Sequence, residues 1–153
     1  MIAVRVDDPT SPAAAAMIAE HFAISHANTP ADYAFVLGPE ALGAPGVTFF
    51  TAWDGDALAG MGALKDLGNR EAEVKSMRTA PAHLRRGVGA AVLARIVADA
   101  RAAGVARISL ETGRSDDYAA ARALYARAGF VDCPAFADYP HESPHNCYMT
   151  LEL

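Results

Sequence analysis

The sequence predicts a mixed α/β (α+β) fold with a mostly antiparallel central sheet of about six to seven strands and helices on both faces. Three observations predict it. Between residues 47 and 79, three strand-like runs follow one another with only turn residues between them, which is the pattern of a meander. From residue 90 onward helical and strand-like stretches alternate, as they do when helices cover a sheet. Two Ala-rich stretches, 13–27 and 90–103, carry helix start and stop signals.

Taken in order, Ile2 to Val6 alternates apolar and polar residues and reads as a first strand. Ser11 and Pro12 suit the cap and first position of a helix that runs to Ala27, closed by Asn28-Thr29-Pro30. Gly and Pro punctuate residues 31–46, leaving room for one short helix around Pro39 to Leu42. Val47 to Trp53 is β-branched and aromatic. Asp54-Gly55-Asp56 is a hairpin signal, and Ala57 to Lys65 is the returning strand. Within it Gly60 and Gly62 mark a close approach by another part of the chain. After a turn, Glu71 to Thr79 is the third strand. A glycine loop, the helix Ala90–Ala103 ending at Gly104, and a strand Val105–Glu111 follow. A helix Asp116–Ala128 ending at Gly129, a strand beginning Phe130-Val131, a loop over 134–146 and a closing strand Cys147–Leu153 complete the order.

The chain of 153 residues fits one domain, spanning 1–153, with enough length for a core without disulfides or metals. Its net charge of -5 speaks against a nucleic-acid phosphate binder, which carries a basic surplus. No apolar run reaches membrane-spanning length, and the N-terminus lacks a signal peptide's basic start and apolar stretch, so the expected location is the cytoplasm. Cys133 and Cys147 have no CxxC spacing. His21 and His26 are five apart, not on one helical face. His141 and His145 lie in the late loop with Asp138 and Glu142 and could line an acceptor site, but the spacing argues for no metal. His83 reads as a surface residue near the glycine loop.

The most informative stretch is Arg85-Arg86-Gly87-Val88-Gly89 between a strand and the helix from Ala90. A helix N-terminus presents unpaired backbone N–H groups and the positive end of the dipole, and glycines let that backbone curl around a diphosphate. Arginines beside it add charge-assisted donors. The bland alternative is an ordinary tight loop. The spacing does not match a P-loop, and Val92 stands where a Rossmann fingerprint has its third glycine.

The run Met77-Arg78-Thr79-Ala80-Pro81 followed by Leu84-Arg85-Arg86-Gly87-Val88-Gly89 resembles the acetyl-CoA-binding motif of the GNAT family of N-acetyltransferases, [Q/R]-x-x-G-x-[G/A]. Leu84 stands where that motif has Gln or Arg. Leu124-Tyr125-Ala126-Arg127-Ala128-Gly129-Phe130 resembles the family's late motif, with Tyr118 where an Asn is frequent. The resemblance implies two parallel strands splayed to admit acetyl-CoA, here Val74–Thr79 and Val105–Glu111. It also implies pantetheine contacts at Met77, Arg78 and Thr79, and a pyrophosphate held by Arg85, Arg86, Gly87, Val88, Gly89 and Ala90. The acceptor it implies is an amine of a small molecule. Homodimers are common in the family, so a second copy of the chain is a further partner.

By the same resemblance Tyr125 is the candidate general acid for the CoA thiolate, against a tyrosine merely packed on the sheet. Glu73 is the candidate general base, with Glu71 competing and a solvated strand glutamate as the alternative. Period-two alternation puts Lys75 on the face of Glu73 and Met77, and Arg78 on the other. Lys75 could pair with a substrate carboxylate or with Glu73. Two other functions compete: a non-catalytic CoA-binding regulatory module, and an acetyltransferase of protein N-termini or lysines.

Overall fold

The computed structural model describes all 153 residues. Its centre is a seven-stranded sheet built from β1 (Ile2–Val6), β2 (Val47–Asp54), β3 (Ala57–Gly68), β4 (Glu71–Thr79), β5 (Arg107–Gly113), β6 (Val131–Asp132) and β7 (Asn146–Glu152), in the order β1-β2-β3-β4-β5-β7-β6. Every neighbouring pair is antiparallel except β4 and β5, which run parallel. Four α-helices cover it: α1 (Pro12–Asn28), α2 (Pro39–Leu42), α3 (Val88–Ala102) and α4 (Ala119–Arg127).

Alternation along the strands divides the core in two. Phe49, Met61 and Ala63 face α1 and α2 and pack with Ala14, Met17, Ile18 and Leu42. Phe50, Ala52, Ala59 and Val74 face the other way, onto Val88, Val92, Leu93 and Ile96 of α3 and Tyr125 of α4. The close approach expected at Gly60 and Gly62 is made by α3. A Cβ on Gly60 would lie 2.6 Å from Val88, and one on Gly62 would lie 2.8 Å from Val92.

Several boundaries differ from expectation for local reasons. β5 begins at Arg107, not Val105. Gly104 ends α3 in a left-handed turn (φ 82°), and the amides of Val105 and Ala106 bond back to Ala100 and Arg70 before the strand starts. Residues 116–118 form a single 3-10 turn ahead of α4, and Ser11 makes no side-chain capping bond at α1. β3 runs on to Gly68, with the turn confined to residues around Asn69 and Arg70, both at positive φ.

Face assignment on β4 also changes. Ser76 sits at φ 58°, and the β3 register slips there, Met61 pairing with Arg78 while Ala63 pairs with Lys75. This bulge inserts one residue and reverses the alternation beyond it. Met77 therefore packs with Val74 on the α3 side. Arg78, not Met77, shares the α1 side with Lys75, and it pairs with Glu20 of α1 at 2.9 Å.

Candidate active site

The parallel register of β4 and β5 runs from Glu71–Arg107 to Val74–Leu110 and stops. Beyond it, residues 75–79 have no partner on the β5 side, so the sheet opens into a wedge between the bulged end of β4 and the end of β5. Two hollows meet in this wedge.

The first is a groove lined by Met77, Arg78, Thr79, Leu84, Gly89 and the α4 residues Leu124 and Tyr125. At its mouth lies the loop into α3. The first amide there to find an intramolecular partner is that of Ala91, which bonds to the Gly87 carbonyl, so the six consecutive N–H groups from Arg85 to Ala90 are unpaired. Gly87 reaches the required geometry at φ 79°, where a side chain would be strained. Six free amides leading into a 15-residue helix, three of them in its first turn, offer the donors of an anion cradle. The cradle is braced from below: Asp54 takes Arg86 at 3.2 Å and His83 at 3.3 Å. His83 is thus buried, not on the surface, and the Arg86 guanidinium is turned to Asp54. Leu84, at the position of the motif's polar residue, is exposed and lines the groove.

The second hollow is a cavity walled by Tyr33, Phe35, Lys75, Ser76, Glu111 and Asn146. His21, Ser25, Met77, Tyr118, Ala121 and Tyr125 belong to both hollows. The Tyr118 ring lies against Gly113, where a Cβ would sit 2.1 Å from it, and its hydroxyl meets Thr29 at 3.3 Å, tying α1 to the loop after β5.

Tyr125 stands at the junction of groove and cavity. Its side chain is buried, and its hydroxyl makes no hydrogen bond within the protein yet is not sealed off. Burial first, and the charge of Glu111 second, push this phenol above its ordinary pKa, so it keeps its proton. His21, on the shared wall, is pushed down to about 4 by burial and by the Arg78 charge, which leaves the imidazole neutral at pH 7.

Glu73 is buried and does not line the cavity. One of its oxygens takes Lys75 Nζ at 3.1 Å and the hydroxyl of Tyr139, which also accepts from Lys75 at 2.6 Å. Burial and the Glu73 charge raise the Tyr139 phenol far above its usual range. Tyr139 further packs edge-on to Phe35 and Phe136, so this closed triangle clamps the late loop onto β4. The strand after that loop, β7, reaches the cavity through its first residue, Asn146. His145 stacks on Tyr33 behind the wall, and His141 lies in a separate hollow with Arg114, Cys133 and Cys147.

The carboxylate that faces the cavity is Glu111. Asn146 Nδ2 donates to its Oε2 at 2.9 Å and also to the Tyr33 carbonyl at 2.9 Å, which fixes the amide. Burial raises the Glu111 pKa, with the Asn146 bond and the Lys75 charge opposing. Sequence reasoning passed over both residues. Ending β5 at Glu111 left it as a strand terminus, and Asn146 fell into a loop, although an acidic residue where the parallel strands part was a usable signal.

The acetyltransferase (GNAT) family model matches residues 15–130, and the chain belongs to that family. It is an N-acetyltransferase, an acyl-CoA-using enzyme of the class whose fold and wedge have just been described. The uncharacterized N-acetyltransferase YsnE of Bacillus subtilis (strain 168) is 43% identical over 150 residues, covering 98% of this chain and 99% of the relative. Among solved structures, a candidate acyl-CoA N-acyltransferase from Klebsiella pneumoniae is 27% identical, covers 100% of this chain and 98% of that one, and superposes with a TM-score of 0.81. A Bacillus subtilis acetyltransferase in complex with CoA shares the fold at 17% identity and a TM-score of 0.70, covering 100% and 99% of the two chains. No helix is long and apolar enough to cross a membrane.

Proposed function

We propose that residues 1–153 act as one catalytic domain that transfers the acetyl group of acetyl-CoA to the amine of a small molecule. The observation that carries the reading is the row of six unpaired amides, Arg85 to Ala90, at one end of a groove whose other end opens on Tyr125. In this reading Arg85, Arg86, Gly87, Val88, Gly89 and Ala90 offer their N–H groups to the pyrophosphate. The backbone of Met77, Arg78 and Thr79, which has no partner on the β5 side, lies along the pantetheine arm, as a strand extends a sheet edge. CoA bound by a relative of the same fold supports the donor.

The amine nitrogen attacks the thioester carbon, the C–N bond forms, and the C–S bond breaks. Tyr125 supplies a proton to the departing sulfur, a role its raised pKa suits because the phenol is a donor throughout the neutral range. Glu73 contributes through the clamp it makes with Lys75 and Tyr139, since it is buried and does not line the cavity. A catalytic enzyme, rather than a regulatory CoA-binding module, is supported by a second hollow that opens on the same tyrosine as the groove. Its enclosure by Tyr33, Phe35 and Tyr118 favours a small acceptor over a protein tail. The cytoplasm suits a reaction that consumes acetyl-CoA and a chain with two free thiols, and a homodimer is the assembly the family favours.

Calorimetric titration with acetyl-CoA, with NAD and adenosine nucleotides as controls, tests the reading. Selective acetyl-CoA binding together with CoA release on adding amines is expected. Folded protein that binds no acetyl-CoA sinks it.

A further inference from the structure

Around the cavity the buried charges do not balance. Glu73 and Lys75 neutralise each other, with side chains only 3% and 9% exposed. Glu111 is the second carboxylate, and its sole hydrogen-bond partner is a neutral amide. Its Oε1 accepts no bond and remains open to the cavity. The nearby cations are already engaged: Lys75 with Glu73 and Tyr139, Arg78 with Glu20, Arg114 with the carbonyls of Ser143 and Asn146, and Arg122 with those of Gly113 and Ser115. His21 is neutral. Of the residues that line the cavity, Glu111 is the one carboxylate and has no ion-pair partner, while the one lysine or arginine, Lys75, is already paired with Glu73. A buried, unpaired carboxylate is costly, and an ammonium group brought beside it would offset that cost. An acceptor carboxylate would be repelled by Glu111 and would have to compete with Glu73 for the Lys75 charge. The remaining walls are aromatic or apolar, with Tyr33, Phe35, Val36, Tyr118 and Met77 framing the space.

We infer that the acceptor is an arylalkyl amine without a carboxylate, and that Glu111, held by Asn146, binds its ammonium group and takes a proton from it. The inference rests on the N-acetyltransferase reading above. Glu111 accepts one proton from R–NH3+ and leaves R–NH2, whose lone pair forms the C–N bond. The nitrogen then loses a second proton, which restores the phenol of Tyr125 after that phenol has protonated the thiolate. The proton on Glu111 leaves to water, so each amide formed releases one CoA thiol and one H+. Asn146 of β7 touches Glu111, and the groups near enough for their charges to act on one another are Lys75 and Glu73 of β4, Tyr125 of α4, Tyr148 and Cys147 of β7, and Tyr139 of the late loop.

Matched pairs of amines test this: benzylamine against phenylglycine, phenethylamine against phenylalanine, and tryptamine against tryptophan. Binding is measured by calorimetry on the protein saturated with CoA, and turnover by thiol release from acetyl-CoA. The carboxylate-free member of each pair is expected to bind about tenfold tighter or better. Glu111→Gln is expected to keep acetyl-CoA binding, to weaken amine binding about tenfold, and to lower kcat about 100-fold. If circular dichroism shows that this variant does not fold, Glu111→Asp replaces it, with amine binding retained and kcat reduced. Equal or better use of the amino acids overturns the inference, as does unchanged amine binding and turnover in the Glu111 variant. Acetyl-CoA binding without binding of any carboxylate-free amine overturns the inference alone. Failure of the wild-type protein to bind acetyl-CoA removes the enzymatic reading beneath it.

Discussion

Replacing Gly62 by alanine tests how tightly α3 is seated on the sheet. The new Cβ would lie 2.6 Å from Met77 Sδ, 2.8 Å from Val92 Cγ1 and 3.2 Å from Ile96 Cδ1. The methionine can swing aside, because its thioether chain has several rotamers. Val92 and Ile96 have no such exit, since both are fully buried beneath the helix that carries them. Ordinary contact begins near 3.4 Å, so Val92 must retreat by about 0.6 Å, and α3 with it. Overpacking of this kind costs about 1–3 kcal/mol. For a chain of this length that lowers Tm by about 2–12 °C. Thermal unfolding followed by circular dichroism measures it, with Gly38→Ala as comparison. Gly38 has nothing within 4 Å of its Cβ position and an extended backbone, so its substitution should move stability by no more than about 1 kcal/mol. Because α3 also carries the anion cradle, Gly62→Ala should weaken acetyl-CoA binding and Gly38→Ala should not. A Gly62→Ala protein that melts within about 1 °C of wild type would refute the seating described for α3.

Other consequences can be measured independently. Tyr125→Phe removes the proposed proton donor and keeps the ring, so kcat should fall about 100-fold with little change in acetyl-CoA affinity, read by stopped thiol-release assays beside calorimetry. Lys75→Met leaves the buried Glu73 carboxylate without its counter-ion and should cost about 3–5 kcal/mol in urea unfolding. The double variant Glu73→Gln/Lys75→Met should recover a large part of that loss, and no recovery would mean that Lys75 matters for packing alone. His21 binds its proton less tightly folded than unfolded, so its share of stability is complete above pH 6.5 and is lost as pH falls toward 4. His21→Gln should flatten the decline of Tm over that window, and an unchanged slope would exclude His21 as its source.

Much of the fold could be read from the residues because local signals and tertiary packing agree. The meander announced itself through Asp54-Gly55-Asp56 and the turn after Lys65, and the helices through Pro12 and Gly104. The glycine loop was legible because the role proposed for it depends on backbone amides at a helix start, which sequence spacing predicts directly. Groups defined by distant chain segments were not legible in this way. The Glu73–Lys75–Tyr139 clamp joins residues 66 apart in the chain, and no periodicity announces it. The bulge at Ser76 broke the period-two rule, so Met77 and Arg78 were assigned to the wrong faces. Glu111 was missed for a related reason: its importance comes from Lys75 being occupied elsewhere, a fact of three-dimensional charge balance.

The wall shared by groove and cavity bears on how two substrates would meet. With His21, Met77, Tyr118 and Tyr125 belonging to both hollows, neither ligand can settle without touching side chains the other will use. Whatever free energy the nucleotide thioester spends or gains in moving those four groups reappears as a change in amine affinity, and the same quantity must appear in reverse. A shared wall thus turns two binding events into one thermodynamic cycle, whose closure makes the strength of either ligand a gauge of the other.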